Sequence, residues 1–248
     1  MDLGLHDRRA AVAGASSGLG LATARALAAE GVRVAICGRD RDRIEQAAAS
    51  IDGDAVAIVA DMATPDGPGA FVDEAVATLG GVDILVANAG GPPPGNFTTT
   101  PYDAYPVALQ LNLLSTVALC QAAVPAMRER GWGRVVAITS ISVRQPIAGL
   151  ILSNTARAGV TGFLKTLALE VAGDGVTVNS VLPGSHDTDR LRSLYGGDLS
   201  GAAASTPVQA VGRPEDFGAV AAFLCSDHAR FITGAAVPVD GGANQALL

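Results

Sequence analysis

Hydrophobic and polar positions alternate along the chain in blocks of two kinds. Short runs rich in Val, Ile and Ala, at 10–13, 32–37, 55–60, 82–87, 134–139, 176–181 and 236–239, predict strands. Longer Ala-rich stretches between them, at 19–30, 41–50, 67–79, 103–129, 152–171 and 214–224, predict helices. Strand–helix alternation requires crossovers, and these join parallel strands. The expectation is one α/β domain over residues 1–248, a doubly wound parallel sheet of about seven strands with helices on both faces.

Two segments break the rhythm. Residues 90–101 contain Gly-Gly-Pro-Pro-Pro-Gly followed by threonines and must form a loop. Residues 184–213 are rich in Gly, Ala and Ser with weak periodicity, and read as a long substrate loop. Each follows a strand C-terminus, the edge at which open α/β sheets bind ligands. The apolar stretch 108–127 is interrupted by Gln110, Asn112, Ser115, Thr116 and Gln121, which favours a buried helix over a membrane span.

Composition narrows the function. The chain of 248 residues is 49% hydrophobic and 17% charged, with net charge −7. An acidic chain without a basic cluster is a poor fit to nucleic acid or anionic membranes. Cys37, Cys120 and Cys225 are widely spaced in apolar surroundings and predict buried free thiols in a reducing, cytoplasmic compartment. None has metal-ligand spacing with a histidine, so no metal is expected. The first residues lack a basic region followed by an apolar run, so no signal peptide is expected.

The segment Gly14-Ala15-Ser16-Ser17-Gly18-Leu19-Gly20 lies between the first strand and first helix. Glycines there permit a tight turn and close approach of a diphosphate to the helix N-terminus. In this context the turn predicts a dinucleotide site. The second strand ends Cys37-Gly38-Arg39, with no carboxylate to repel a ribose 2′-phosphate. Arg39 is therefore expected to favour NADP(H) over NAD(H).

The spacing of Gly14, Gly18 and Gly20 resembles that of the short-chain dehydrogenase/reductase family. So, in order, do Asp61-Met62, Asn88-Ala89-Gly90, Asn112, Ser140, Asn179, Pro183-Gly184, and Gly234 with Pro238 to Gly242. The resemblance covers nearly the whole chain and extends to 3-oxoacyl-carrier-protein reductase-like proteins. It implies a Rossmann-like fold, a small-molecule substrate, and a homotetramer or dimer formed through the helices at 108–127 and 152–171. It also implies adenine at Asp61 and Met62, nicotinamide near Asn88, Ala89, Gly90, Pro183 and Gly184, and an amide contact from Thr188. Asn112 and Ser140 match two of four catalytic positions. The tyrosine and lysine positions hold Ser153 and Arg157.

Residues 153 and 157 share a helix face, but their chemistry differs from the family's. A serine hydroxyl is a far weaker acid than a phenol and has a shorter reach. Arg157 cannot relay protons, but its fork suits ribose hydroxyls or a substrate carboxylate. His186 is the first candidate for a replacement acid, against the reading of an exposed loop residue. Tyr195, Tyr102 and Tyr105 are the others. Arg190 and Arg192 are candidates to contact a carboxylate. Three functions are compatible with these residues: an NADP(H)-dependent oxidoreductase with a rebuilt proton donor, a nucleotide-binding sensor or partner subunit, and a non-redox lyase or cyclase.

Overall fold

A computed structural model describes residues 1–53 and 55–247; the last residue of the expected 1–248 domain lies outside the described residues. The strands are β1 (Arg9–Val12), β2 (Arg33–Gly38), β3 (Ala55–Val59), β4 (Ile84–Ala87), β5 (Gly133–Ile138), β6 (Val176–Pro183) and β7 (Ala236–Val239). They form a single parallel sheet in the order β3-β2-β1-β4-β5-β6-β7. The order reverses between β1 and β4, which opens a crevice above their C-terminal ends.

The sheet feeds two cores, because successive side chains of a strand point to opposite faces. Ala11, Ala35, Leu85 and Val135 enter one core with α3 (Gly67–Leu79), α5 (Ser115–Glu129) and α6 (Ile151–Val171). Ala10, Val34, Ile84 and Val136 enter the other with α1 (Gly18–Ala29), α2 (Arg41–Ala49) and α9 (Pro214–Cys225). The small side chains matter here: Gly218 of α9 lies so close to the backbone of Ala22 in α1 that any side chain would collide. All three cysteines are free and buried, and burial pushes each thiol up to about 12.

The expected helix over 103–129 is one continuous helical rod with a defect. It comprises α4 (Ala104–Leu109), a π-helical turn at Gln110–Leu114, and α5. By length and composition this rod is apolar enough to cross a membrane. In the fold, however, Leu119, Cys120, Ala123, Val124 and Met127 are buried against the sheet and its neighbours.

The expected loop at 184–213 is not wholly irregular. It contains two short helices, α7 (Asp189–Leu194) and α8 (Ser200–Ala204). Thr188 begins α7 by accepting a hydrogen bond from the Leu191 N–H at 3.3 Å, and Asp189 lies in its first turn. The loop at 90–101 remains irregular and touches the start of α6 through a Gly95–Leu150 bridge.

Candidate functional site

A cavity of about 430 Å³ lies at the C-terminal edge of the sheet. Its wall combines the turn after β1, the ends of β4, β5 and β6, the first turns of α6, and α7.

The turn after β1 is held by backbone geometry that only glycine accepts comfortably. Gly14 and Gly18 have φ of 58° and 59°. A side chain at Gly20 would strike the Gly14 carbonyl, and one at Gly14 would strike Asn88. Asn88 in turn donates from Nδ2 to the Gly14 carbonyl at 2.9 Å, tying the end of β4 to the turn. Ser17 caps α1 with extended backbone, yet its side chain makes no capping bond. The first N–H groups of α1 and a free hydroxyl therefore face the crevice, a combination suited to a phosphate group.

Gly14, Ser17, Gly18, Leu19, Asn88, Ala89, Gly90, Pro183, Gly184 and Thr188 all line the cavity, as the sequence reading grouped them. Ser16, Gly20, Arg39, Asp61 and Met62 lie outside its lining. Ser16 sits beside Gly38, where an added side chain would approach its Cβ to 3.2 Å. Arg39 is exposed at the end of β2. Asp61 accepts from the Ala63 N–H at 2.9 Å, and Met62 is buried in the core.

Ser140 and Ser153 line the same cavity with Arg157. Ser140 Oγ accepts from the Ser142 N–H at 3.1 Å, which leaves its own proton free to donate. Asn112 lies in the π-helical turn. Its Nδ2 donates to the Gly90 carbonyl at 2.7 Å, and its Oδ1 is buried without a partner. The extra residue in that turn sets the amide beside the Gly90 carbonyl, and Asn112 itself lies outside the cavity lining.

Arg157 is 8% exposed, and Nη1 donates to the Ile138 carbonyl at 2.9 Å, while Nε is buried without a partner. Burial, and then the positive charge of Arg190, push the guanidinium down to about 10. Asn154, the residue after Ser153, clamps the cavity wall. Its Nδ2 donates to the Ile147 carbonyl at 2.9 Å, and its Oδ1 accepts from the Ile147 N–H at 3.3 Å. Sequence reading missed this residue, because its contact lies outside helical spacing.

The candidate acids separate by position. His186 lines the cavity but is buried, contrary to an exposed loop histidine. Its ring meets Phe217 edge-on at 5.2 Å, and a side chain at Gly212 would strike it. With Nδ1 3.3 Å from the Gly184 carbonyl, the ring reads as a donor at that nitrogen. Burial lowers its pKa, so the neutral ring is favoured. Tyr195 also lines the cavity and is 44% exposed. Tyr102 and Tyr105 are not in its wall. Of the loop arginines, Arg190 lines the cavity, whereas Arg192 pairs with Asp187 at 2.6 Å. His6 and His228 are exposed and lie outside the cavity lining.

Known proteins share this architecture. A family model described as enoyl-(acyl carrier protein) reductase matches residues 14–244. Dehydrogenase/reductase SDR family member 4 of Bos taurus is 32% identical over 96% of this chain and 88% of its own length. Acetoacetyl-CoA reductase of Cupriavidus necator is 34% identical over 97% and 100%. The L-sorbose reductase of Gluconobacter frateurii, solved with NADPH and L-sorbose, superposes with a TM-score of 0.93. It is 33% identical, with each chain covered completely. The glycine turn, the parallel order of the sheet and this agreement over the whole length lead to one assignment: the chain belongs to the short-chain dehydrogenase/reductase family.

Proposed function

We propose that this protein is an NADP(H)-dependent oxidoreductase acting on a carbonyl or hydroxyl substrate, with a proton donor other than residue 153. The single observation that carries this reading is the shared cavity: the glycine turn and helix N-terminus open onto the same space as Ser140, Arg157 and Tyr195. The solved relative with NADPH and L-sorbose supports the cofactor. Arg39, exposed and next to Gly38, favours a 2′-phosphate and hence NADP(H) over NAD(H).

The residues divide the work. The N–H groups opening α1 and the Ser17 hydroxyl hold the diphosphate, and Thr188 meets the nicotinamide amide. When bound, the nicotinamide supplies hydride to the carbonyl carbon or accepts it from the alcohol. Ser140 donates a hydrogen bond to the substrate oxygen. The unpartnered Asn112 Oδ1 holds a water on the proton path. Arg157 offers its remaining N–H groups to ribose or substrate. Tyr195 gives the proton in the reducing direction, and its partial exposure lets solvent return it. His186, packed on Phe217 and favoured neutral, positions the loop that carries Thr188.

The serine at 153 supports a second reading, a nucleotide-binding sensor or partner subunit without turnover. A deuterium-transfer assay decides between them. With 4-deuterated NADPH and a panel of ketoses and oxo acids, stereospecific label in the product is expected. Tight cofactor binding without label transfer to any substrate would overturn the oxidoreductase reading and leave the sensor. The exposed Val107, Leu114 and Leu169 on the long helices support a homo-oligomer, tetramer or dimer, which light scattering checks. The buried free thiols support a reducing, cytoplasmic setting.

A further inference from the structure

Two guanidinium groups line the cavity. Arg157 is more than nine-tenths buried at the floor, with one hydrogen bond and an orphaned Nε. Arg190 reaches in from the first turn of α7. Its Nη2 donates to the Pro92 carbonyl at 3.3 Å, and its guanidinium lies over Gly91, where any side chain would collide with it. Among the described residues neither arginine forms an ion pair, while Arg192, two residues on, is paired with Asp187. Asp189 also lines the cavity but makes no ion pair with its neighbour.

Two like charges in one partly desolvated space are costly without a counterion. Arg190 is close enough to act on Arg157, lowering its pKa in addition to the effect of burial. A carboxylate would satisfy the planar forks of both groups with charge-assisted hydrogen bonds. Residue 153, one helical turn before Arg157 on the same face of α6, is a serine whose small side chain lines the cavity. Ile141, Ile147, Leu150 and Leu194 give the wall an apolar part.

We infer that Arg157 and Arg190 together receive the carboxylate of the substrate, an organic acid with an apolar body whose reacting carbonyl lies toward Ser140. This deepens the oxidoreductase reading and rests on it for the role of the carbonyl, although the anion site itself does not. The same forks could serve the diphosphate of the cofactor, so the test separates the two sources.

The probe is benzoate, with benzamide as its neutral counterpart, titrated into the purified full chain with and without saturating NADPH. Benzoate is expected to bind saturably and benzamide at least about tenfold more weakly, a difference typical of one desolvated charge contact. Arg190→Gln is expected to weaken benzoate by a similar factor while NADPH affinity stays within about twofold. Arg190→Lys restores part of the loss. Equal binding of benzoate and benzamide, or no saturable binding of benzoate, overturns the inference. So does an Arg190→Gln variant that loses NADPH affinity and keeps benzoate, which would assign the group to the diphosphate. Failure of the two readings is distinguishable. Charge-selective benzoate binding without deuterium transfer to any substrate removes the oxidoreductase and keeps the anion site. Deuterium transfer to neutral ketones with no preference for benzoate does the reverse.

Discussion

The two edges of the sheet use arginine in opposite ways. At the N-terminal edge, Arg9 grips Asp83 through Nε and Nη2, both at 2.8 Å, and Arg130 approaches the same carboxylate at 3.4 Å. Nearby, Arg134 pairs with Asp227 at 3.4 Å, and Arg8 and Arg134 stack on Trp132 at 3.8 and 4.2 Å. Burial alone would raise the Asp83 pKa, but the hydrogen bonds and charge of Arg9 more than offset it and hold the carboxyl below its ordinary value. At the C-terminal edge, Arg157 and Arg190 hydrogen-bond to backbone carbonyls and form no ion pair among the described residues. Paired arginines brace the start of the strands; unpaired ones mark the end where a ligand belongs. Residue type therefore says little about role until the partner is known.

Breaking the braced edge should give the largest effect. Asp83→Ala leaves Arg9 without its partner and is expected to cost about 3 kcal/mol of stability in denaturant unfolding. NADPH affinity of the folded protein should not change, because Asp83 is at the far edge. If stability holds, the braced edge is ornamental and the contrast fails. At the ligand edge, Arg39→Ala should reduce the preference for NADPH over NADH by about tenfold, equivalent to about 1.4 kcal/mol, in parallel cofactor titrations. An unchanged ratio would remove Arg39 from the 2′-phosphate site.

Arg157→Met sharpens the comparison through its sign. Removing a buried cation that has no counterion is expected to raise stability by about 1 kcal/mol while abolishing benzoate binding. A destabilised variant would mean that the single bond to Ile138 matters structurally after all. The smallest effect concerns His186. Burial lowers its folded pKa below the ordinary 6.5, so the unfolded chain binds the proton more readily. The stability contribution is complete above 6.5 and declines as pH falls through the lowered folded value. His186→Gln should flatten that acid limb of a melting-temperature profile. A profile identical to the unsubstituted protein would show that the ring is not held neutral by the fold.

Most of the architecture was legible because the signal was local. Short runs rich in Val, Ile and Ala marked all seven strands, with ends displaced by at most a residue or two, and the glycine turn stood where β1 meets α1. The misses had physical reasons of another kind. The π-helical turn at Asn112 adds one residue to a rod whose hydropathy is unbroken, so periodicity carries no mark of it. Helix α7 did leave a signal, Thr188 followed by Asp189, but its short length and weak periodicity hid it. His186 stood in a polar loop, where it read as a candidate acid or as an exposed residue; Phe217 and Gly212, remote in sequence, bury it.

By itself the sequence determined the sheet, its crossovers, the glycine turn and the absence of a phenol at position 153, since each depends on neighbouring residues or on spacing within one element. Only the tertiary structure decided which arginines are braced and which are free, and which candidate acids face the cavity. Those outcomes depend on distances between groups far apart in the chain. Arg190 and Arg192 are two residues apart and chemically identical, yet one is tied to Asp187 and the other turns over Gly91 into the cavity. Packing sets that choice, because the cost of burying a charge depends on what the fold places beside it.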